Sequence, residues 1–478
     1  MKKRLYSLLT LLIFVATILS ACGGESVTLL EFIKDMEAAT DYEGYNFRYY
    51  FGGGSDYEED KKILSYDTNT LEGEAMLQRI QDIKDKINVE FVINFSLDHD
   101  SYRLQAMGGN LQADAISFSY MNAMQDFAYS GFLLPITNFP DYIDLNDTDK
   151  YGAANVLEPA MINSVPYAVL PCFWPGYQPL DSFILVYNKD LTIPNGITDF
   201  HEFWEEGNWT WETFETEFLD KARIPTSDGY IYSLATTTIQ YFSSLLYSNN
   251  VYFVTRSDTG ENIINPYPTS FVHAYEKGLE WATEYKDTIF FEQGVQSTES
   301  FLNGTSMTGL AGASQVTTGD ITFDAKFKYG LMPFPAGIDA TYGVWAQYMQ
   351  RINGIGISKS SSEPEVAAHT ISLWFEPFEE FGGRAGLYDY YNENTFITDT
   401  DTEIFFALMK NVRYDYTFWN QSDIGRQVHS DFGDSIQIGL GISEAMERYQ
   451  NDINEMVYDY IVPNFDYMYE NYYYQFDK

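Results

Sequence analysis

Tyr45-Asn-Phe-Arg-Tyr-Tyr-Phe51, then Met76-Leu77 with Ile80, Ile83 and Ile87, then Val89-Glu-Phe-Val-Ile-Asn-Phe95 decide the architecture. In the first stretch Tyr45, Phe47, Tyr49 and Phe51 alternate with Asn46, Arg48 and Tyr50, which is the period of a strand. Gly52-Gly53-Gly54 ends it. The second stretch repeats its apolar residues at helical spacing after Gly73-Glu74. The third reads as another strand, with Phe91, Ile93 and Phe95 on one face. A short helix follows, then a strand over Ala113 to Ser119. A helix over Tyr120 to Ser130 is stopped by Gly131, with Pro135 beyond. Strands separated by helices predict parallel pairing through right-handed crossovers. Residues 45–135 therefore read as one α/β lobe. Its open edge is expected at the strands' carboxyl ends, in the loops Gly52–Tyr57, Ser96–Ser101 and Ser119–Asn122.

Downstream, Tyr167 to Asp190 is strand-like but broken by Pro171, Pro175 and Pro179, as a chain crossing between lobes would be. A new sheet is expected to start at Phe183-Ile184-Leu185-Val186-Tyr187. Thr210 is a fitting N-cap for a helix through Leu219. Helices are also predicted over Phe271 to Lys286, Pro364 to Phe375 and Gly441 to Val462. Short strands are predicted over Lys328 to Pro333 and Asn353 to Ser358.

Upstream, Lys2, Lys3 and Arg4 precede an almost wholly apolar run from Leu5 to Leu19, closed by Leu19-Ser20-Ala21-Cys22. A basic start, a short apolar segment and small residues before a cleavage point make a secretory signal. The run is too short and wrongly flanked for a stable membrane helix. Leu29 to Ala39 carries Leu29, Ile33 and Met36 at helical spacing. Gly23–Thr28 is the plausible free linker.

The chain of 478 residues carries 28 Lys and Arg against 69 Asp and Glu, a formal charge of −41. Loss of Lys2, Lys3 and Arg4 with the leader leaves 25 cations and −44. So few cations build no basic face for a phosphate backbone, so nucleic acid is not expected as a partner. With 45% hydrophobic and 20% charged residues the body is globular. Besides Cys22 only Cys172 remains, so no internal disulfide can form, and Cys172 between Pro171 and Phe173 reads as a small packed hydrophobe. Aromatics reach 17%, with 39 Tyr, 35 Phe and 8 Trp. Most belong in a core, yet so many rings also suit a surface that stacks on flat or ring-shaped ligands.

Several chemistries are missing from the sequence. His99, His201, His273, His369 and His429 lie 60 or more residues apart, so no local metal spacing exists. There is no Gly-x-Ser-x-Gly elbow and no Gly-Lys dipeptide for a phosphate loop. Asp431-Phe432-Gly433 lacks every companion motif of a kinase. Asp144-Leu-Asn146-Asp147-Thr-Asp149 lacks the Gly and Glu of a calcium loop and reads as a solvated acidic turn. Pairs such as Glu205-Glu206 and Glu379-Glu380 are expected by chance among 69 acids.

Six motifs in order carry a resemblance. They are Tyr167-Ala-Val-Leu-Pro171, Ile184-Leu-Val-Tyr-Asn-Lys-Asp-Leu191, Gly207-Asn-Trp-Thr-Trp-Glu-Thr-Phe214, Phe301-Leu-Asn-Gly304, Tyr329-Gly-Leu-Met-Pro-Phe-Pro335 and Asn353-Gly-Ile-Gly-Ile357. Behind a Leu-Ser-Ala-Cys22 segment that resembles the bacterial lipobox, they make the chain similar to extracellular solute-binding proteins of family 1, the sugar-importer receptors akin to maltose-binding protein. The resemblance implies a periplasmic-binding-protein-like α/β fold, two lobes joined by a hinge around a ligand cleft. It implies a leader over 1–21 and an anchor and linker over 22–41. The first lobe would hold 42–167 with 300–345, and the hinge and second lobe 168–298 with 346–478. It further implies a lipid-anchored, extracellular, monomeric receptor on the cell membrane. Such a receptor needs no cofactor or metal, performs no catalysis, and delivers a carbohydrate to ABC permease subunits. A receptor for another solute, a secreted carbohydrate-active enzyme and an adhesion lipoprotein are the rival readings.

The resemblance also suggests positions. Cys22 would carry the lipid. Gly52 and Asp56 follow the first strand, where relatives hydrogen-bond sugar. Tyr120 and Asn122 follow the third strand at contact positions, and Asp181 matches an acidic contact before the Tyr-Asn-Lys-Asp strand. Trp174 lies in the crossover beside Pro175-Gly176, and Tyr241 falls near a cleft aromatic of the second lobe. Where relatives carry Gly-Pro-Trp, this chain has Gly312-Ala-Ser-Gln315, so Gln315 replaces an aromatic and Trp345 is the ring that could fill the gap. Trp209, Trp211 and Trp374 are expected in the core, and Trp419 is undecided.

Overall fold

The computed structural model describes residues 40–462 apart from 52–61, 64–65, 68–69, 95–98, 119–120, 152–156, 158–159, 163–164, 172–173, 175–179, 182, 228, 258–260, 294–297, 318–320, 322–323, 344–346, 349–350, 353, 411 and 414–422. The lipobox with Cys22, the helical spacing at Leu29 to Ala39, Cys172 and Trp419 lie outside the described residues.

The chain starts with β1 (Tyr45–Tyr50), α1 (Leu71–Ile87), β2 (Val89–Asn94), α2 (His99–Met107), β3 (Ala115–Phe118) and α3 (Met121–Tyr129). β1 pairs in parallel with β2 and with β3, as the alternation of strand and helix predicts. Thr70 caps α1, its hydroxyl accepting from Gly73 N at 3.1 Å, so the helix begins before the apolar stripe. Of that stripe Met76, Ile83 and Ile87 are buried, while Leu77 faces solvent.

The chain then crosses to a second sheet with β4 (Phe183–Asn188), β5 (Tyr232–Thr236), α4 (Thr238–Ser248), α5 (Thr269–Glu284), β6 (Ile289–Phe291), α6 (Glu299–Leu302), β7 (Ser306–Gly312), α7 (Ala313–Thr317) and β8 (Tyr329–Met332). The strand order is β6-β5-β7-β4-β8. β5 runs parallel to β6 and β7, and β4 runs antiparallel to β7 and β8. Before this sheet is complete, Thr210 caps a helical run. Its hydroxyl accepts from Thr213 N at 3.3 Å, and the run continues as α-helix over Trp211–Thr213 and π-helix over Phe214–Leu219.

The chain returns to the first sheet as β9 (Gly354–Ile357), antiparallel to β3, and α8 (Pro364–Trp374). It ends on α9 (Gly383–Asn394), α10 (Asp399–Lys410), α11 (Asp423–Gln437) and α12 (Ile442–Glu455), the last running into a π-helix over Met456–Ile461.

Strand pairing corrects the predicted division of the lobes. Residues 300–345 do not complete the first lobe, because β7 and β8 flank β4 in the second sheet. Residues 354–357, assigned by sequence to the second lobe, close the first sheet instead. The physical reason is local. All seven residues of β7 and all four of β8 are buried, as in a strand covered on both faces. Gly330 lets the Tyr187 ring of β4 lie across β8, since a Cβ there would stand 2.4 Å from the ring.

Aromatics build both cores. Phe47 and Tyr49, alternate residues of β1, meet Trp374 of α8 edge to face at 6.4 and 5.0 Å. Trp209 and Trp211 are buried, their indole N–H groups donating to Pro333 O at 2.9 Å and Ser248 Oγ at 3.2 Å. The packing motif in Trp-Thr-Trp therefore fixes the start of the Thr210-capped run against the end of β8.

Two crossings lie side by side: Leu180–Asp181 pairs antiparallel with Arg351–Ile352. The third follows α8. Arg79 of α1 donates to Glu376 O at 2.5 Å and Pro377 O at 3.2 Å, pinning it to the first lobe. Gly382 and Gly383 then turn it with φ of 77° and 61°. Asp401 of α10 accepts from Leu331 N of β8 at 2.7 Å, which ties the far side of that turn to the second lobe.

Candidate binding site

In an open α/β sheet the carboxyl ends of the parallel strands leave backbone groups and helix starts facing a crevice. In the second lobe β5 and β6 end level, Thr236 beside Phe291, and β7, whose Gly309 lies beside Ala235, runs on to Gly312.

The residues just past these ends are polar and held in place. Thr237 and Gln240 form a capping box at the start of α4. The Thr237 hydroxyl accepts from Gln240 N at 3.2 Å, and Gln240 Oε1 accepts from Thr237 N at 3.3 Å. Gln240 Nε2 also donates to Leu310 O of β7 at 3.4 Å. Glu292 follows β6 directly. Its N–H donates to Thr236 O at 2.7 Å, and its Oε1 accepts from Ser300 N at 2.8 Å. The residue is 8% exposed, and its Oε2 is enclosed with no hydrogen-bond donor in reach. Gln315 of α7 accepts from Gly312 N at 2.9 Å and donates to Thr298 Oγ1 at 3.4 Å. The second lobe thus lines its edge with hydroxyls, amides and one carboxylate.

The first lobe's edge is described only at its base. The Tyr102 hydroxyl of α2 donates toward Asn94 O at 3.4 Å and Phe51 O at 3.5 Å. The His99 ring stacks on Phe118 at 5.5 Å, with its Nε2 2.9 Å from Ser117 O.

Of the residues expected from sequence, Gly52, Asp56, Tyr120 and Trp345 lie outside the described residues. Asn122 is in the first turn of α3, and Asp181 is in the paired crossing, opposite Arg351. Trp174 is 3% exposed and packs at 5.5 Å from Trp374 and 5.3 Å from Phe375, inside the first lobe's core. Tyr241 is fully buried on the inner face of α4. Its hydroxyl donates to Gly278 O at 3.0 Å, and burial pushes its pKa well up. The structure sets both rings in cores, not at an edge. Gln315 does stand at the edge, with both ends of its amide engaged within its own lobe.

Sequence reasoning missed Thr237, Gln240 and Glu292. Thr237-x-x-Gln240 ahead of an apolar run was a readable capping signal. Glu292 carried only the weak signal of a carboxylate directly after Ile289-Phe290-Phe291.

A separate groove of about 500 Å³ lies on the second lobe between Trp211, Glu215, Lys277 and Gly337, and holds none of the predicted residues. Its best-placed carboxylate is already used, as Glu215 accepts from Lys277 Nζ and Trp281 Nε1, both at 3.1 Å. Among the described residues no helix is long and apolar enough to cross a membrane.

No curated protein matches the chain. Among solved structures it is similar to an ABC substrate-binding protein from Listeria monocytogenes in complex with cycloalternan. The TM-score is 0.61 at 16% identity, over 86% of this chain and 99% of that one. It is similar to the sugar-binding protein MalE from Xanthomonas citri, with a TM-score of 0.60 at 14% identity over 86% and 97%. It is also similar to UgpB from Mycobacterium tuberculosis in complex with glycerophosphocholine, with a TM-score of 0.59 at 14% identity over 80% and 94%. These likenesses confirm the two-lobed α/β fold. The family model for bacterial extracellular solute-binding proteins matches residues 74–377, which run from α1 through the second sheet and back to α8, and the chain belongs to that family of binding proteins.

Proposed function

We propose that this protein is the substrate-binding receptor of an ABC importer and that its ligand is a carbohydrate, a mono- or oligosaccharide. The observation that carries the reading is the second lobe's edge: three adjacent strand ends furnished with Thr237, Gln240, Glu292 and Gln315, on a fold shared with carbohydrate-bound neighbours. Hydroxyls, amides and a carboxylate are the groups that take sugar hydroxyls. The lobes close on the ligand about the crossings at 180–181, 351–352 and 382–383, and the permease subunits read the closed form. Binding alone is required, with no bond made or broken. A lipid on Cys22 tethers the receptor to the outer face of the cell membrane, where its acidic body stays off anionic surfaces by repulsion. Metabolic labelling with a palmitate analogue, lost in Cys22→Ser, tests that anchor.

Thermal shift over a panel of mono- and oligosaccharides tests the ligand class, because a bound sugar raises the melting temperature by mass action. Released product on incubation with labelled oligosaccharide would instead make the protein an enzyme. The neighbour bound to glycerophosphocholine keeps a second reading, a phosphodiester of a polyol, in play. The same panel with glycerophosphocholine added separates the two.

A further inference from the structure

We propose that Glu292 anchors the ligand in the second lobe, its Oε2 accepting a hydrogen bond from a ligand hydroxyl while Oε1 stays on Ser300 N. This rests on the reading of the protein as a carbohydrate receptor and names the group that selects the ligand.

The two carboxylate oxygens of Glu292 are unequally engaged. Oε1 is engaged at 2.8 Å and the backbone N–H at 2.7 Å, so the carboxylate is fixed at both ends of the residue. Oε2 of the same group is enclosed and meets no donor. An ionised carboxylate is an acceptor only. Leaving one of its oxygens buried without a donor is unfavourable, because the lost hydration is not replaced. Such a group calls for a partner that the protein itself does not provide, a water, an ion or a ligand. Its place suggests which, since Glu292 follows β6, the outermost strand of the second sheet, and stands between Thr236 at the end of β5 and Ser300 of α6. A ligand hydroxyl brought to this turn when the lobes close would supply the donor that the protein does not.

The surroundings narrow what that ligand is. The described side chains about this turn are the Thr237 and Thr298 hydroxyls and the Gln240 and Gln315 amides, which are neutral, and Glu299 beside Ser300, which is acidic. No Lys or Arg among the described residues pairs with Glu292, whose charge is therefore uncompensated. A neutral polyhydroxyl compound supplies a donor without adding charge. A phosphate or carboxylate would set a second negative charge beside the first. The geometry thus points to a neutral saccharide over an anionic solute.

Titration calorimetry on the full chain tests this. The probes are glucose, maltose, maltotriose, maltotetraose and a cyclic tetrasaccharide, with glycerol 3-phosphate as the anionic probe. Glu292→Gln keeps the shape and leaves Oε1 for Ser300 but turns Oε2 into a donor. Its saccharide affinity is expected to fall at least about tenfold, the loss of one hydrogen bond to a charged acceptor. The unliganded melting temperature should stay the same or rise, because a buried uncompensated charge has gone. Glu292→Asp, which keeps the charge and shortens the reach, should weaken binding less than Gln does. Saccharide affinity in Glu292→Gln within threefold of the parent overturns the proposal and leaves the receptor reading intact. A clear drop in the unliganded melting temperature of Glu292→Gln, or its failure to fold, also overturns it by making the carboxylate structural. If the parent protein binds none of the saccharides, or binds glycerol 3-phosphate in their place, the carbohydrate reading falls first and this proposal with it.

Discussion

The described parts of the two lobes are built differently. At the base of the first, aromatic rings crowd the strands, with Tyr49, Phe47 and Trp374 below and His99 on Phe118 beside the edge. At the carboxyl ends of the second, the chain spends Thr237, Gln240, Glu292 and Gln315, polar groups that fold inward and brace one another. The contrast teaches where an aromatic excess goes. Trp174 and Tyr241, rings suited by sequence to stack on a ligand, fill the cores, while the turns after the second sheet's strands carry polar side chains.

The strongest way to break that contrast is to truncate the rings. Trp374→Ala, Trp174→Ala and Tyr241→Ala are each expected to lower unfolding free energy by about 3–5 kcal/mol in urea titrations, as large aromatic deletions in cores do. If Trp174→Ala or Tyr241→Ala leaves the unliganded protein as stable as before and weakens only sugar binding, that ring belongs to the cleft and the contrast fails.

A pH series sharpens it next. His429 of α11 is fully buried with its Nδ1 2.8 Å from Ser243 Oγ of α4, and burial pushes its pKa down to about 3. The unfolded chain therefore binds a proton that the folded chain refuses between the ordinary histidine value, about 6.5, and about 3. That contribution to stability is complete above the unfolded value and is lost as pH falls through the window. The slope is at most about 1.4 kcal/mol per pH unit. His429→Asn should flatten the fall measured by thermal melts from pH 7 to pH 4. An unchanged slope would mean that the side chain protonates in place.

Smaller effects belong to the caps. Thr237→Ala and Thr210→Ala are each expected to destabilise by about 1 kcal/mol, the usual worth of an N-cap. Thr237→Ala should also weaken ligand binding, because its box holds the edge of the site, while Thr210→Ala, at the end of β8, should not. Equal effects on binding would remove the reason to distinguish the two caps.

Much of this was legible in the chain. Period-2 and helical patterns marked β1, α1, β2 and α8 because each buries one regular face. The Thr210 cap and the core roles of Trp209, Trp211 and Trp374 were readable for the same reason. Sheet membership was not. β7, β8 and β9 are uniformly buried strands, and nothing local says which sheet covers them once a chain crosses repeatedly. Trp174 and Tyr241 misled because one ring suits a core and a cleft equally well until its neighbours are known. Glu292 was invisible among 69 acids, since its distinction is an unmatched oxygen.

The central claim is that the protein closes on a neutral carbohydrate and does nothing to it. Titration calorimetry of the full chain with the saccharide panel, followed by recovery of the ligand, tests it most directly. The account predicts saturable one-to-one binding of at least one neutral saccharide, recovered unchanged, and no heat with glycerol 3-phosphate. Binding confined to the anion, or recovery of a cleaved sugar, would contradict it.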